Sequence, residues 1–204
     1  MDKKTLLVGL IAFVIVGVVA LGVYVLAPPA AFRGTVYSEP YPPAPEIELR
    51  RANGDDFRLS QMRGNIVLLF FGYTSCPDVC PTTLAELKSA LDKIGQEKAQ
   101  NVKVVFVTVD PGRDTPQRVQ EYVNHFNSEF IGLSGSEAEL QKTWNEYGVF
   151  REVVQATSAA GYLVNHTARV TLIDRDGNLR ASYGFETPVD DIVHDLHLLM
   201  KQSN

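Results

Sequence analysis

Two cysteines supply every thiol in this 204-residue chain, and only three residues separate them, Cys76 from Cys80. They lie in Phe71-Gly72-Tyr73-Thr74-Ser75-Cys76-Pro77-Asp78-Val79-Cys80-Pro81, where an apolar run from Asn65 to Tyr73 passes into a helix-like run from Pro81 to Ile94. With Pro81 at the first helical position, Cys80 falls at or near the N-cap. There the unpaired backbone N–H groups and the helix dipole stabilise a thiolate and lower its pKa. A thiolate is both the nucleophile of disulfide exchange and a soft ligand, suited to Cu(I), zinc or iron–sulfur clusters. A purely structural disulfide is the plain alternative in an oxidising compartment, but closing so short a loop contributes only ~2 kcal/mol in the chain-entropy model. Oxidation to a Cys76–Cys80 bridge is therefore expected as one state of a functional pair. Two sulfurs leave a zinc site two ligands short, so any further soft or borderline donor matters.

Four histidines are available: His125, His166, His194 and His197. His194 and His197 are one turn apart on the last helical run, with no sulfur or carboxylate partner evident, and read as solvated surface. His125 borders the buried face of its helix. His166 differs, falling in Tyr162-Leu163-Val164-Asn165-His166-Thr167-Ala168, read as a loop leading into the strand Arg169 to Ile173. In a thioredoxin-like layout that strand neighbours the central one, and the loop before it faces the cysteine junction. A hydrogen-bonded structural histidine is the competing reading.

The elements that must position these residues follow from pattern. Ile66-Val67-Leu68-Leu69-Phe70-Phe71 is continuously apolar, as a central strand buried on both faces must be, and Val102 to Val109 is a second such strand. Thr82 to Ile94 repeats apolar residues at Leu84, Leu87, Leu91 and Ile94, one helical stripe. Glu46 to Leu59 reads as a hairpin turning at Asn53-Gly54, and Ser60 to Gly64 as a short helical turn. Pro116 to Phe126 is a helix with proline in its first turn, Ile131 to Leu133 a short strand, and Ser136 with Glu139 a capping box for the helix to Tyr147. Val149 to Val154 and Tyr162 to Val164 pair as a projecting hairpin around the small-residue loop Ala156 to Gly161. Ala168 to Ile173 and Leu179 to Tyr183 surround the turn Asp174 to Asn178, and Val189 to Met200 closes the chain as a helix. The order predicts an α/β, thioredoxin-like fold: a central mixed sheet flanked by helices, with an extra N-terminal hairpin and the projecting hairpin.

Hydrophobic content of 45% and charged content of 21% are those of a globular domain. Net charge is −5, and no Lys/Arg cluster is present, which excludes nucleic acid as a partner because phosphate neutralisation supplies most such affinity. Leu6 to Leu26 carries no charge. At ~1.5 Å per residue such a run crosses a ~30 Å hydrocarbon core. Lys3 and Lys4 precede it, so the N-terminus is expected in the cytoplasm and the domain outside. A cleaved signal peptide is the alternative, although this run exceeds the usual signal core. Expected organisation is therefore 1–26 cytoplasmic N-terminus and transmembrane anchor, 27–45 a proline-rich linker with six prolines, and 46–204 the thioredoxin-like domain. The expected location is the bacterial cytoplasmic membrane, single-pass, with the domain in the periplasm.

Gly72-Tyr73-Thr74-Ser75-Cys76-Pro77-Asp78-Val79-Cys80-Pro81 resembles the signature of the Sco/SenC family, copper proteins that help assemble cytochrome c oxidase. Val109-Asp110-Pro111-Gly112-Arg113-Asp114-Thr115-Pro116 resembles that family's second motif and Val164-Asn165-His166-Thr167 its third. The resemblance runs from about Pro45 to Met200. It implies that Cys76, Cys80 and His166 bind one copper ion, as Cu(I) and with a further O or N donor as Cu(II), and that the cysteines also form a disulfide. Implied partners are the copper-receiving subunit of a terminal oxidase, a copper donor and a thiol reductant. Two positions depart from the pattern. Asn165 stands where the family commonly has Asp, removing a negative charge beside His166, and Gly112 stands where a charged residue is common. Asp110, Arg113 and Asp114 read as a buried ion network supporting the site; the alternative is that Asp114 caps the helix beginning at Pro116.

Three functions compete. Copper delivery to the dinuclear centre of an oxidase needs all three donors. A thiol–disulfide oxidoreductase that reduces the oxidase cysteines needs Cys76 and Cys80 but not His166, and commonly has a two-residue gap between its cysteines. Peroxide reduction is weaker, because no dedicated peroxidatic cysteine stands out.

Overall fold

The computed structural model describes residues 2, 9, 12–18, 31–155 and 161–202. The chain divides into two compact units, Met1–Ala31 and Phe32–Asn204. In the first, residues 12–18 are helical, and most of the expected span Leu6 to Leu26 lies outside the described residues. Among the described residues no helix is long and apolar enough to cross a membrane.

The second unit is built on β4, Ile66–Gly72, in which all seven residues are buried. Its unbroken apolar run leaves no polar face, so it is stable only with neighbours on both edges and cover on both sides. β5 (Val102–Thr108) lies parallel on one edge and β9 (Arg169–Ile173) antiparallel on the other, with Phe70 opposite Phe106 and Val170. β6 (Ile131–Leu133) extends the parallel side; β10 (Leu179–Gly184) and β1 (Thr35–Val36) extend the antiparallel side. The six strands run in the order β1-β10-β9-β4-β5-β6. Two small antiparallel pairs stand apart: β2 (Glu48–Arg50) with β3 (Asp56–Arg58), and β7 (Arg151–Gln155) with β8 (Tyr162–His166).

Helix α1 (Val79–Ile94) follows β4 and buries Cys80, Leu84, Leu87 and Leu91, packing against the last helix, α5 (Val189–Gln202). α2 (Gln96–Ala99) is a single turn that sequence pattern did not anticipate. α3 (Pro116–Asn124) packs on β5 and β6, and α4 (Glu137–Glu146) opens with the expected Ser136–Glu139 capping box. The β9–β10 turn is held by Asp174, whose Oδ1 accepts from the amides of Asp176 and Asn178, with Gly177 at φ +84°.

Three local outcomes bear on the site. Residues 32–45, read above as the outer part of a linker, join the globular unit. β1 pairs with Ser182 and Ala181, and the amides of Arg33 and Gly34 donate to the buried Asp195 carboxylate. Helix α1 starts at Val79 rather than near Pro81, so Cys80 sits inside its first turn. His166 is the last residue of β8, not part of a loop, and the tip of its hairpin, residues 156–160, lies outside the described residues.

Gly72 marks where the strand must make room for that first turn. A Cβ added there would lie 2.7 Å from the Phe106 ring and 2.9 Å from Cys80 Sγ. Gly72→Ala is therefore expected to destabilise by about 1–3 kcal/mol through overpacking, read by urea unfolding. It should also shift Cys80, seen as altered thiol reactivity; unchanged stability would show that α1 is not seated against β4 as described.

Candidate metal and thiol centre

The two cysteines take opposite environments from one short loop. β4 ends at Gly72, the chain turns through Tyr73 to Asp78, and α1 begins. Asp78 occupies the N-cap position without accepting a cap hydrogen bond. The Cys76 sulfur takes up that role: the Cys80 amide donates to Cys76 Sγ at 3.4 Å. Helix N-terminal amides are short of acceptors and favour negative charge. The Cys76 thiol is accordingly lowered to about 6, first by the hydrogen bond from Cys80, with burial opposing and the amides of Asp78 and Cys80 and the Tyr73 hydroxyl assisting. Cys80 is fully buried and is driven well above an ordinary thiol, first by its hydrogen bond to Cys76, then by desolvation and by the Cys76 charge. The expectation of a Cys80 thiolate is corrected: the helix terminus acts on Cys76, because α1 begins before Cys80. Both cysteines are free thiols.

His166 reaches this pair from the far side. Its Nε2 is 3.8 Å from Cys80 Sγ, and its Nδ1 lies 3.1 Å from the Thr167 carbonyl oxygen. A carbonyl can only accept, so Nδ1 carries the proton and Nε2 presents a lone pair toward the sulfur. Burial holds the imidazole pKa below its ordinary value, with the Thr167 bond opposing, so the ring is neutral at pH 7. The Tyr73 ring meets it edge-on, centroids 5.8 Å apart. Between these elements lies a cavity of about 230 Å³, lined by Tyr73, Cys76, Pro77 and Val79 on one side and by Leu163, Val164 and His166 on the other.

Cys76 and His166 thus line one cavity, while Cys80 is buried behind it with its Sγ against the imidazole. They do not already form a closed cage: among the described residues, no group of three His, Cys, Asp or Glu is disposed to hold an ion. Asn165 is exposed, its amide 3.4 Å from Glu152 across the hairpin. His125, His194 and His197 do not line the cavity.

The second motif buttresses the centre. Asp114 is fully buried and accepts from the Thr74 amide (3.0 Å), the Thr74 hydroxyl (2.6 Å) and the Thr108 hydroxyl (2.7 Å). Thr115, not Asp114, caps α3. Asp110, 1% exposed, pairs with Arg113. The buried-network reading therefore holds for both carboxylates. Sequence reasoning passed over Tyr73, Tyr162 and Arg118. Arg118 Nε donates to Thr74 Oγ1 (2.9 Å) and its Nη2 to Ser75 Oγ (3.2 Å). The i, i+4 spacing of Arg118 from Asp114 was the one available signal for it.

A thiol pair at the junction of a central strand and a helix, on a mixed α/β sheet, defines a thioredoxin-like protein, and the neighbouring histidine distinguishes a subset. Residues 38–201 match the family model described as SCO1/SenC, and the chain belongs to that family. A SCO2-like protein of Rickettsia conorii is 34% identical over 150 residues, 73% of each chain. The apo Sco1 protein of Thermus thermophilus is 38% identical with a TM-score of 0.74, over 83% of this chain and 97% of that one. Arabidopsis thaliana ScoI, solved with copper bound, is 33% identical with a TM-score of 0.73, over 78% and 98%.

The split between the thiols has a direct readout. In the reduced chain, one cysteine should be alkylated by iodoacetamide with a rate that rises with pH and reaches half its maximum near 6. Mass spectrometry should place the label on Cys76, with Cys80 unlabelled at neutral pH. A single transition at the ordinary ~8.5 of a free thiol would refute the assignment.

Proposed function

We propose that this chain binds one copper ion through Cys76, Cys80 and His166 and delivers it to the dinuclear copper centre of cytochrome c oxidase during assembly of that enzyme. The observation that carries this reading is the imidazole Nε2 facing Cys80 Sγ at 3.8 Å, beside a Cys76 thiol that is ionised at neutral pH. Disulfide exchange between two cysteines can run without that nitrogen, whereas a third copper donor requires it.

The donor set fits the cargo. Two sulfurs and one imidazole are soft and borderline ligands, which favour Cu(I), and an added O or N donor suits Cu(II). The Thr167 carbonyl fixes the tautomer that leaves Nε2 free to ligate, the usual arrangement at metal-binding histidines. Cys76 needs no deprotonation at pH 7; Cys80 must lose its proton as the metal enters, so loading releases a proton. Copper-bound relatives at 33% and 35% identity support the choice of metal.

One observation favours a second reading, reduction of the oxidase cysteines. Cys76 is half-buried and ionised, hence a competent nucleophile. It would attack one sulfur of a partner disulfide and expel the other as a thiolate. Cys80, its proton passing to the expelled partner thiolate, would then attack Cys76 of the mixed disulfide, releasing the second partner sulfur as a thiolate that takes a proton from water and leaving a Cys76–Cys80 bridge.

His166→Ala separates the two. In the full-length protein it should weaken Cu(I) binding, measured by chelator competition, by more than the ~10–100-fold typical of losing an outer-shell partner. The Cys76–Cys80 reduction potential should change little. Oxidase assembly that survives His166→Ala but fails in Cys76→Ser would overturn the copper reading in favour of the redox one.

The uncharged run Leu6–Leu26 behind Lys3 and Lys4 supports anchoring in the bacterial cytoplasmic membrane with the domain facing the periplasm. Alkaline phosphatase fused after Asn204 should be active in cells; an inactive phosphatase with an active cytoplasmic reporter at the same point would refute this topology.

A further inference from the structure

The strand that carries His166 belongs to a two-stranded sheet, and among the described residues no strand ladder joins that sheet to the six-stranded one. An isolated two-stranded ribbon is marginal in water. Something other than main-chain pairing must therefore set where the imidazole sits.

We propose that Arg113 is a positioning residue for His166, acting as a latch that holds the β7–β8 ribbon against the cysteine loop through Tyr162 and Asp110. This rests on His166 being a copper ligand. Arg113 Nη1 donates to the Tyr162 carbonyl at 3.0 Å, and its guanidinium stacks 3.7 Å from the Tyr162 ring centroid. Its Nε donates to Asp110, and the Tyr162 hydroxyl donates to the other oxygen of that carboxylate at 2.8 Å. The same guanidinium lies 5.7 Å from the Tyr73 ring, which in turn meets the His166 imidazole edge-on. One planar cation thus touches the first residue of β8, the loop after β5 and the aromatic wall of the metal cavity. Arg151 makes the matching grip from β7: its Nε donates to the Val109 carbonyl at 2.5 Å, with its guanidinium 5.0 Å from the Trp144 ring. Both attachments end on the segment following β5, so the histidine is referenced to the second motif rather than to its own sheet.

Arginine suits this position because its rigid fork donates in two directions while its face stacks, which an ammonium cannot do. Removing it also leaves Asp110, 1% exposed, without its cation, so Arg113→Gln risks a general loss of stability. Tyr162→Ala serves as the second variant, because it removes the platform while the Asp110–Arg113 pair stays.

The decisive experiment is a double-mutant cycle on the full-length chain. Arg113→Gln and Tyr162→Ala should each weaken Cu(I) binding about tenfold or more. Neither should weaken it further in a His166→Ala background, and Arg113→Lys should not restore the wild-type value. In the metal-free protein both substitutions should quicken amide exchange about tenfold at 151–155 and 162–166 while leaving 66–72 protected. Equal losses with and without His166 would overturn the latch, since Arg113 would then act on the thiols or the whole fold. Unchanged affinity and unchanged exchange would overturn it as well. If His166→Ala alone leaves copper binding intact, the ligand assignment fails; the metal-free exchange result still decides whether Arg113 and Tyr162 hold the ribbon.

Discussion

Asp114 is the point on which the site's geometry depends. A carboxylate with no exposed surface is costly unless hydrogen bonds replace its lost hydration. Here the replacements come from the C-terminal ends of two adjacent parallel strands: the Thr74 amide and hydroxyl after β4, and the Thr108 hydroxyl at the end of β5. Satisfying Asp114 therefore closes the loop that leads to Cys76 onto the neighbouring strand. Its own carbonyl accepts from Ser134 at 2.6 Å, carrying the connection on past β6. Charge-assisted bonds to buried groups are worth about 1.5–3 kcal/mol each, enough to make this arrangement dominate over the preferences of a short polar loop. Arg118, half-exposed, reaches Thr74 and Ser75 from outside and completes the clamp.

With the loop fixed, the split between the thiols follows from where the helix begins. Asp78 holds the N-cap position but makes no cap bond, and the Cys80 amide turns instead to sulfur. Two like charges packed this closely on buried sulfurs would repel in a medium that screens poorly, so one thiol ionises and its neighbour keeps its proton. Exposure decides which: Cys76 is half-buried and Cys80 wholly so. The same packing places Cys80 directly over Gly72, where no side chain could stand. The buried thiol is thus located by the core, and the reactive one by hydrogen bonds.

Local pattern made most elements legible in the sequence. The unbroken runs of β4 and β5, the turn residues at Asn53-Gly54 and Asp174–Asn178, and the Ser136–Glu139 box each carry their instruction within a few residues. Cys76, Cys80 and His166 were legible as chemistry, and in the structure Cys80 contacts both of the others through its amide and its sulfur. What escaped was set by distance or by a shift of one turn. β1 is two residues long, lies among prolines and pairs with Ala181 and Ser182 near the other end of the chain. Reading the helix from Pro81 rather than Val79 moved the stabilised thiolate to the wrong cysteine. The stacking of Arg113 on Tyr162 joins residues 49 apart and leaves no periodic trace.

Cys76, Cys80 and His166 are held by supports of different kinds, and under the proposed copper role that difference would bear on release. Cys80 sits in a packed helix against the central strand, Cys76 on a loop tied through Thr74 to Asp114, and His166 on a ribbon outside the main sheet. Under the proposed copper role, metal held by these three would be released not by unfolding the domain but by withdrawing the donor whose support is weakest, and a two-stranded ribbon held by side chains moves at smaller cost than a core helix. Ligand exchange with an acceptor would then begin at the imidazole and end at the buried sulfur. On that reading, the placement of His166 outside the six-stranded sheet suits transfer better than retention.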